Sequence, residues 1–312
     1  MSSPSTARAK VILFGEHAGV HGRLAVAAAL DRGARAKGRR SEGPSTLRLT
    51  PWGVSASAQG DDDLGRAFRA LLDRAGARDA SIAVDVDVEV PGGAGLGCSA
   101  AIGVAVARAV GDALDAPLDD ATTTDAATAW ERVFHGNPSG IDVAAAMQGG
   151  VLSFRRGDSP RRVSFPEAID LAVACTGEAS STKAMVEQVA RQLARRPQVV
   201  ERTFDGIDQL AKKGLVALEA ARWWELGQMM DLNHALLASL MVSTEALEQA
   251  CNTARAAGAM GAKLTGGGGG GCAVALAPGK IDDVLEAWRR IGLEGFAARI
   301  APTRVVLAEA VP

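Results

Sequence analysis

PGGAGLGCSAA, residues 91–101, places four glycines and no charge between two different periodicities. Upstream, SIAVDVDVEV (81–90) alternates apolar and acidic residues, as a strand with one wet face does. Downstream, Ile102, Val106 and Val110 recur every four residues and stack on one helical face. The glycine loop therefore joins a strand to a helix. Such a junction presents the unpaired N–H groups and partial positive charge of a helix start, and Gly92, Gly93, Gly95 and Gly97 leave backbone donors uncovered. The loop reads as an anion cradle, against the plainer reading of a turn that only packs tightly.

Two common phosphate loops fail on residues. A dinucleotide fingerprint GxGxxG starting at Gly93 needs glycine where Cys98 stands, and no acidic residue ends a second parallel strand at the expected distance. No GxxxxGK[ST] occurs anywhere in the chain.

With 312 residues, 47% of them hydrophobic, the chain is long enough for one large or two ordinary globular domains. Lys and Arg (34) nearly balance Asp and Glu (36), so no global field draws the protein to nucleic acid or to an anionic membrane, and an anionic ligand must be held locally. Cys98, Cys175, Cys251 and Cys272 are too few and scattered for a disulfide framework, and none forms a CxxC zinc pair. Buried reduced thiols at Cys175, Cys251 and Cys272 and a cytoplasmic location are the expectation. The start, MSSPSTARAK, lacks the apolar core of a signal peptide, and charges interrupt every apolar stretch before it could span a membrane.

Along the chain, Val11–Phe14 reads as a strand, Asp119–Phe134 as a helix capped by Asp119 or Asp120, and HGNPSG as its break, with another helix from near Pro138. Trp130, Val133 and Phe134 fall on the buried side of that helix. The glycine pair at 149–150 and RRGDSPRR (155–162) suggest a domain joint. Beyond it come a strand at 171–175, amphipathic helices between Lys183 and Ala257, a helix near Ile281–Ile291 and a final strand Arg304–Glu309. The Trp223-Trp224 pair reads as helix core and interface, with no role in binding. The mixture is α+β, not a regular βαβ repeat.

Three further stretches complete a pattern: KVILFGEHAGVHGRLAVAAAL (10–30), ERVFHGNPSGIDVAAAMQGG (131–150) and KLTGGGGGGCAVAL (263–276). With PGGAGLGCSAA they resemble the three motifs of the GHMP small-molecule kinases. ERVFHGNPSGID and STKAMV (181–186) are most similar to the mevalonate kinase branch of that family. The chain departs from that branch at His21, where tyrosine is usual, and at Cys98, where serine is usual; it contains no tyrosine at all.

The resemblance implies a two-domain GHMP kinase fold: residues 1–160 as an N-terminal nucleotide-binding domain, ribosomal protein S5 domain 2-like, and 161–312 as a ferredoxin-like C-terminal domain. It implies ATP-dependent phosphorylation of the primary hydroxyl of mevalonate, with another GHMP kinase acting on phosphomevalonate, a sugar or a related hydroxy acid as the alternative. A catalytically silent relative is the reading from a different class; it would have lost the base or a metal ligand, and Lys10, Ser99, Glu131 and Asp142 are all present.

Residue by residue, Asp142 matches the catalytic aspartate and Lys10 the lysine beside the reacting oxygens. Ser99 and Glu131 match the two Mg2+ positions, and Pro91, Gly92, Gly93, Ala94, Gly95, Leu96, Gly97, Cys98, Ser99 and Ala100 the nucleotide loop. Glu16, His17 and Thr182 match the acceptor side. His135 either braces the HGNPSG loop or touches substrate. The run Gly266–Gly271 backs the phosphate loop or merely connects two strands. A homodimer is a further implication of the resemblance. The chemistry suits these types: phosphoryl transfer needs positioning, a proton acceptor and positive charge on the transferring oxygens, while Mg2+ takes hard oxygen ligands.

Overall fold

The computed structural model describes residues 3–136, 138–178 and 181–303. The chain opens with β1 (Ser5–Phe14), β2 (Ala25–Arg40), β3 (Thr46–Leu49) and β4 (Val54–Ser57), then α1 (Asp63–Arg74) and β5 (Ile82–Val88). Three helices follow the glycine loop: α2 (Cys98–Ala113), α3 (Asp120–His135) and α4 (Ile141–Gln148). Next come β6 (Val151–Phe154), β7 (Arg161–Val163) and β8 (Ile169–Cys175), and then α5 (Thr182–Arg195), α6 (Pro197–Glu219), α7 (Trp223–Ser239) and α8 (Glu245–Ala256). The hairpin β9 (Gly261–Thr265) and β10 (Cys272–Leu276), α9 (Ile281–Arg290) and β11 (Glu294–Ile300) complete an α+β chain.

These elements form two compact units. One takes the chain up to Lys10, Ala29–Gly92 and Leu96–Gly149; the other takes Val11–Ala28, Gly93–Gly95 and the chain from Gly150 onward. Neither is a single segment.

In the first unit β5 pairs antiparallel with the second half of β2 and parallel with β3, which pairs with β4. Helix α2 packs on β5, α3 and α4. The expected stripe of Ile102, Val106 and Val110 is buried, but so are Ala101, Val104 and Ala105, so α2 is a core helix apolar nearly all round. Helix α3 starts as read: the Asp119 side chain accepts from the Thr122 N–H.

In the second unit an antiparallel sheet runs in the order β11-β8-β10-β9. Its core combines Ala172 and Ala174 of β8 with Phe204, Ile207, Leu237, Leu247 and Trp288 from the helices. The start of β2 pairs with β6, and β6 with β7.

Four local expectations change. RRGDSPRR is the turn of the β6–β7 hairpin and not a joint: Gly157 turns at φ 95° and Asp158 N–H donates to the Arg155 carbonyl. The helix expected near Pro138 begins at Ile141, because Gly140 holds the left-handed capping conformation at φ 86°. Cys175 and Cys272 are not free thiols; strand register sets them opposite each other on β8 and β10, and they form a disulfide. Cys98 and Cys251 are buried free thiols. Trp224 is 63% exposed rather than core, while Trp223 donates its indole N–H to Glu167 Oε2. The proposed strand Arg304–Glu309 lies outside the described residues.

Candidate active site

The first unit gathers Lys10, Ser99, Glu131 and Asp142. Gly93, Gly95 and Gly97 all take positive φ, and α2 begins directly after Gly97. At Gly97 two constraints meet: φ is 67°, and a Cβ would lie 2.9 Å from Lys10 Cγ. The lysine stem thus lies against the loop, with Lys10 N–H donating to the Leu96 carbonyl at 2.8 Å. Its ammonium reaches Asp142 Oδ1 at 3.0 Å, on the first turn of α4. The lysine side chain is 6% exposed and that of Asp142 35%, so the carboxylate keeps an open side.

Ser99, on the first turn of α2, donates its hydroxyl to Glu131 Oε1 and accepts from the Trp130 indole N–H at 3.1 Å. Glu131 is buried, and burial pushes its carboxyl up to about 7; the Ser99 hydrogen bond and Lys10 pull it down, and Asp142 adds to the rise. A buried carboxylate of this kind gains most from a cation. Among the described residues no three His, Cys, Asp or Glu side chains form a metal cage. Two hard oxygen donors at the glycine loop still fit Mg2+, which seldom takes an all-protein shell and completes it with phosphate oxygens and water. Ser99 and Glu131 would hold it.

Cys98 is a bystander in this loop. Its thiol faces the Val90 carbonyl at 4.0 Å, and burial, with Glu131 behind it, pushes the thiol up to about 12. His135 stands 3.7 Å from Glu131 Oε2 with its side chain 44% exposed.

Glu16, His17 and Thr182 belong to the second unit. Glu16 is fully buried, its Oε1 paired with Lys263 and its Oε2 accepting from Asn233 Nδ2 at 3.3 Å. Burial drives the Glu16 carboxyl upward against the pull of Lys263. Lys263 spends its remaining donors on the carbonyls of Ile12 and Leu264. Sequence reading missed Lys263 and Asn233 as partners of Glu16; a lysine inside the apolar run of β9 was the available signal, since a buried charge demands a partner.

His17 takes a left-handed backbone, φ 60°, and its Nε2 lies 2.8 Å from the Gly267 carbonyl. A carbonyl only accepts, so Nε2 carries the proton and Nδ1 keeps a lone pair, without a partner among the described residues. Burial lowers the imidazole below its ordinary range and keeps it neutral. Gly267 also meets Thr182, whose Cα a Cβ there would approach to 3.0 Å. The six-glycine run therefore connects β9 to β10 and also meets the glycine loop: at its start, Gly266 packs on Gly95, 3.1 Å from Gly95 Cα to the position a Cβ would take.

Residues 63–150 match the GHMP kinases N terminal domain and residues 215–293 the GHMP kinases C terminal domain. Mevalonate kinase of Pyrococcus abyssi is 34% identical, covering 95% of each chain. That of Methanothermobacter thermautotrophicus is 36% identical over 93% of this chain and 95% of its own. Among solved structures, L. major mevalonate kinase in complex with R-mevalonate superposes with a TM-score of 0.86 at 28% identity, covering 98% of both chains. By its motifs, its fold and its relatives, the chain belongs to the GHMP kinase family, on the mevalonate kinase branch.

Proposed function

We propose that this enzyme transfers the γ-phosphoryl group of ATP to the primary hydroxyl of mevalonate, giving 5-phosphomevalonate and ADP in isoprenoid precursor synthesis. The observation that carries the reading is the cluster at the glycine loop: the Lys10–Asp142 pair beside Ser99 and Glu131. The relatives named mevalonate kinase support the acceptor.

In this reading the Asp142 carboxylate accepts the hydroxyl proton as the hydroxyl oxygen bonds to the γ-phosphorus and the bond to the β-phosphate oxygen breaks, ADP leaving. Lys10 holds the Asp142 carboxylate in place and offsets charge on the transferring oxygens. Backbone N–H groups of the loop Pro91–Ala100 and the α2 start hold phosphate oxygens. Ser99 and Glu131 would hold Mg2+, which would neutralise phosphate charge. Glu16, His17 and Thr182 serve the acceptor side, His17 through the free lone pair on Nδ1 and Glu16 through the shape it gives the turn. A homodimer, a cytoplasmic location and the domain limits 1–160 and 161–312 belong to the same proposal.

An ATP-coupled assay over mevalonate, phosphomevalonate, galactose and homoserine tests it. Turnover should be confined largely to mevalonate; no turnover with mevalonate would sink the acceptor assignment.

A further inference from the structure

Trp130 lies directly before Glu131 on α3 and is 1% exposed. A buried indole N–H needs an acceptor. The acceptor here is the hydroxyl of Ser99, at 3.1 Å. A hydroxyl has one proton and two lone pairs. The carboxylate of Glu131 takes the proton and Trp130 occupies one lone pair, leaving one lone pair among the described residues. An indole nitrogen only donates, so this side of the serine oxygen cannot reverse its role.

Gly103 makes the contact possible. It sits one turn beyond Ser99 on α2, and a Cβ there would lie 2.9 Å from Trp130 Cδ1 and 3.1 Å from Cγ. Its absence lets the indole pack closely on α2 and reach back to the serine. Phe134, 5.4 Å from the indole centroid, packs against the ring as well.

We propose that Trp130 is a positioning residue that fixes the Ser99 hydroxyl so that its single remaining lone pair meets the divalent cation of the bound nucleotide. The inference rests on the proposed reading in which Ser99 ligates that cation, and the experiment separates the two. Mn2+ binding in the presence of ADP, followed by electron paramagnetic resonance, is measured for the unaltered enzyme, Trp130→Phe, Ser99→Ala and the double variant.

Trp130→Phe retains the ring and deletes the donor, and should weaken Mn2+ binding about fivefold, the equilibrium weight of one ordinary hydrogen bond. Ser99→Ala should weaken it at least as much, and adding Trp130→Phe to Ser99→Ala should change nothing further. An equal loss from Trp130→Phe with and without the serine hydroxyl would mark a packing role and overturn the inference, as would no loss at all. Unchanged binding in Ser99→Ala would overturn the reading of Ser99 itself, and the inference with it. If Trp130→Phe does not fold, Gly103→Ala, which displaces the indole, should give the same loss; unaltered Mn2+ binding there overturns the proposal.

Discussion

Each unit holds a lysine against a carboxylate, and the two pairs differ in what surrounds them. Lys263 and Glu16 are both 0% exposed, and the lysine donors are spent on Glu16 and two backbone carbonyls. Lys10 is 6% exposed, but its partner Asp142 is 35% exposed and stands beside a second, buried carboxylate, Glu131. The first pair is closed and can only hold a turn in shape. The second is open on one side and short of positive charge, which suits an incoming phosphate-bound cation and a proton in transit.

The contrast is sharpest at Asp142. Asp142→Asn keeps size and shape but removes the proton acceptor, and turnover should fall about a thousandfold. ADP affinity should stay essentially unchanged; full activity would show that the open pair is structural too.

The closed pair should respond in stability. Lys263→Met strands a buried carboxylate and should cost about 3–5 kcal/mol in denaturant unfolding, while Lys263→Met with Glu16→Leu should recover most of the loss. A neutral single variant would break the contrast.

A third effect is pH-dependent. The Glu131 carboxyl sits near 7 in the folded protein, above the ordinary carboxylate range, so between those values the folded state retains a proton the unfolded chain has lost. Stability of the metal-free protein should therefore fall as pH rises through that window, by a few kcal/mol at most. Thermal melts from pH 5 to 8 should show this slope, and Glu131→Gln should flatten it.

The smallest effect belongs to Cys98. Its buried thiol faces the Val90 carbonyl, so Cys98→Ser should alter turnover little and stability by no more than about 1 kcal/mol. A large loss of activity would mean that the thiol, and not Ser99 beside it, is the working group.

Much of the fold was legible where local pattern and burial agree. The alternation of 81–90 and the Asp119 cap marked β5 and α3 because each follows from neighbours in sequence. Strand β2 escaped notice because its start, from Ala25 to Leu30, is buried continuously and only its latter part alternates. Neither half alone carries a strand period of sixteen residues. The disulfide escaped because its partners are 97 residues apart and meet through register. Glu16 was legible as a motif residue, but the pairing that occupies it comes from β9, far along the chain.

By itself the sequence determined the strand, glycine loop and helix at 82–113, the supply of oxygen and nitrogen groups for phosphoryl transfer, and the family. Those depend on residue type, spacing and backbone freedom, which are local properties. Only the tertiary structure decided which carboxylate stays open and which is closed by Lys263, which cysteines bond, and that Trp130 rests on the Ser99 hydroxyl. Burial and pairing set those outcomes, and both arise from residues brought together across long stretches of chain.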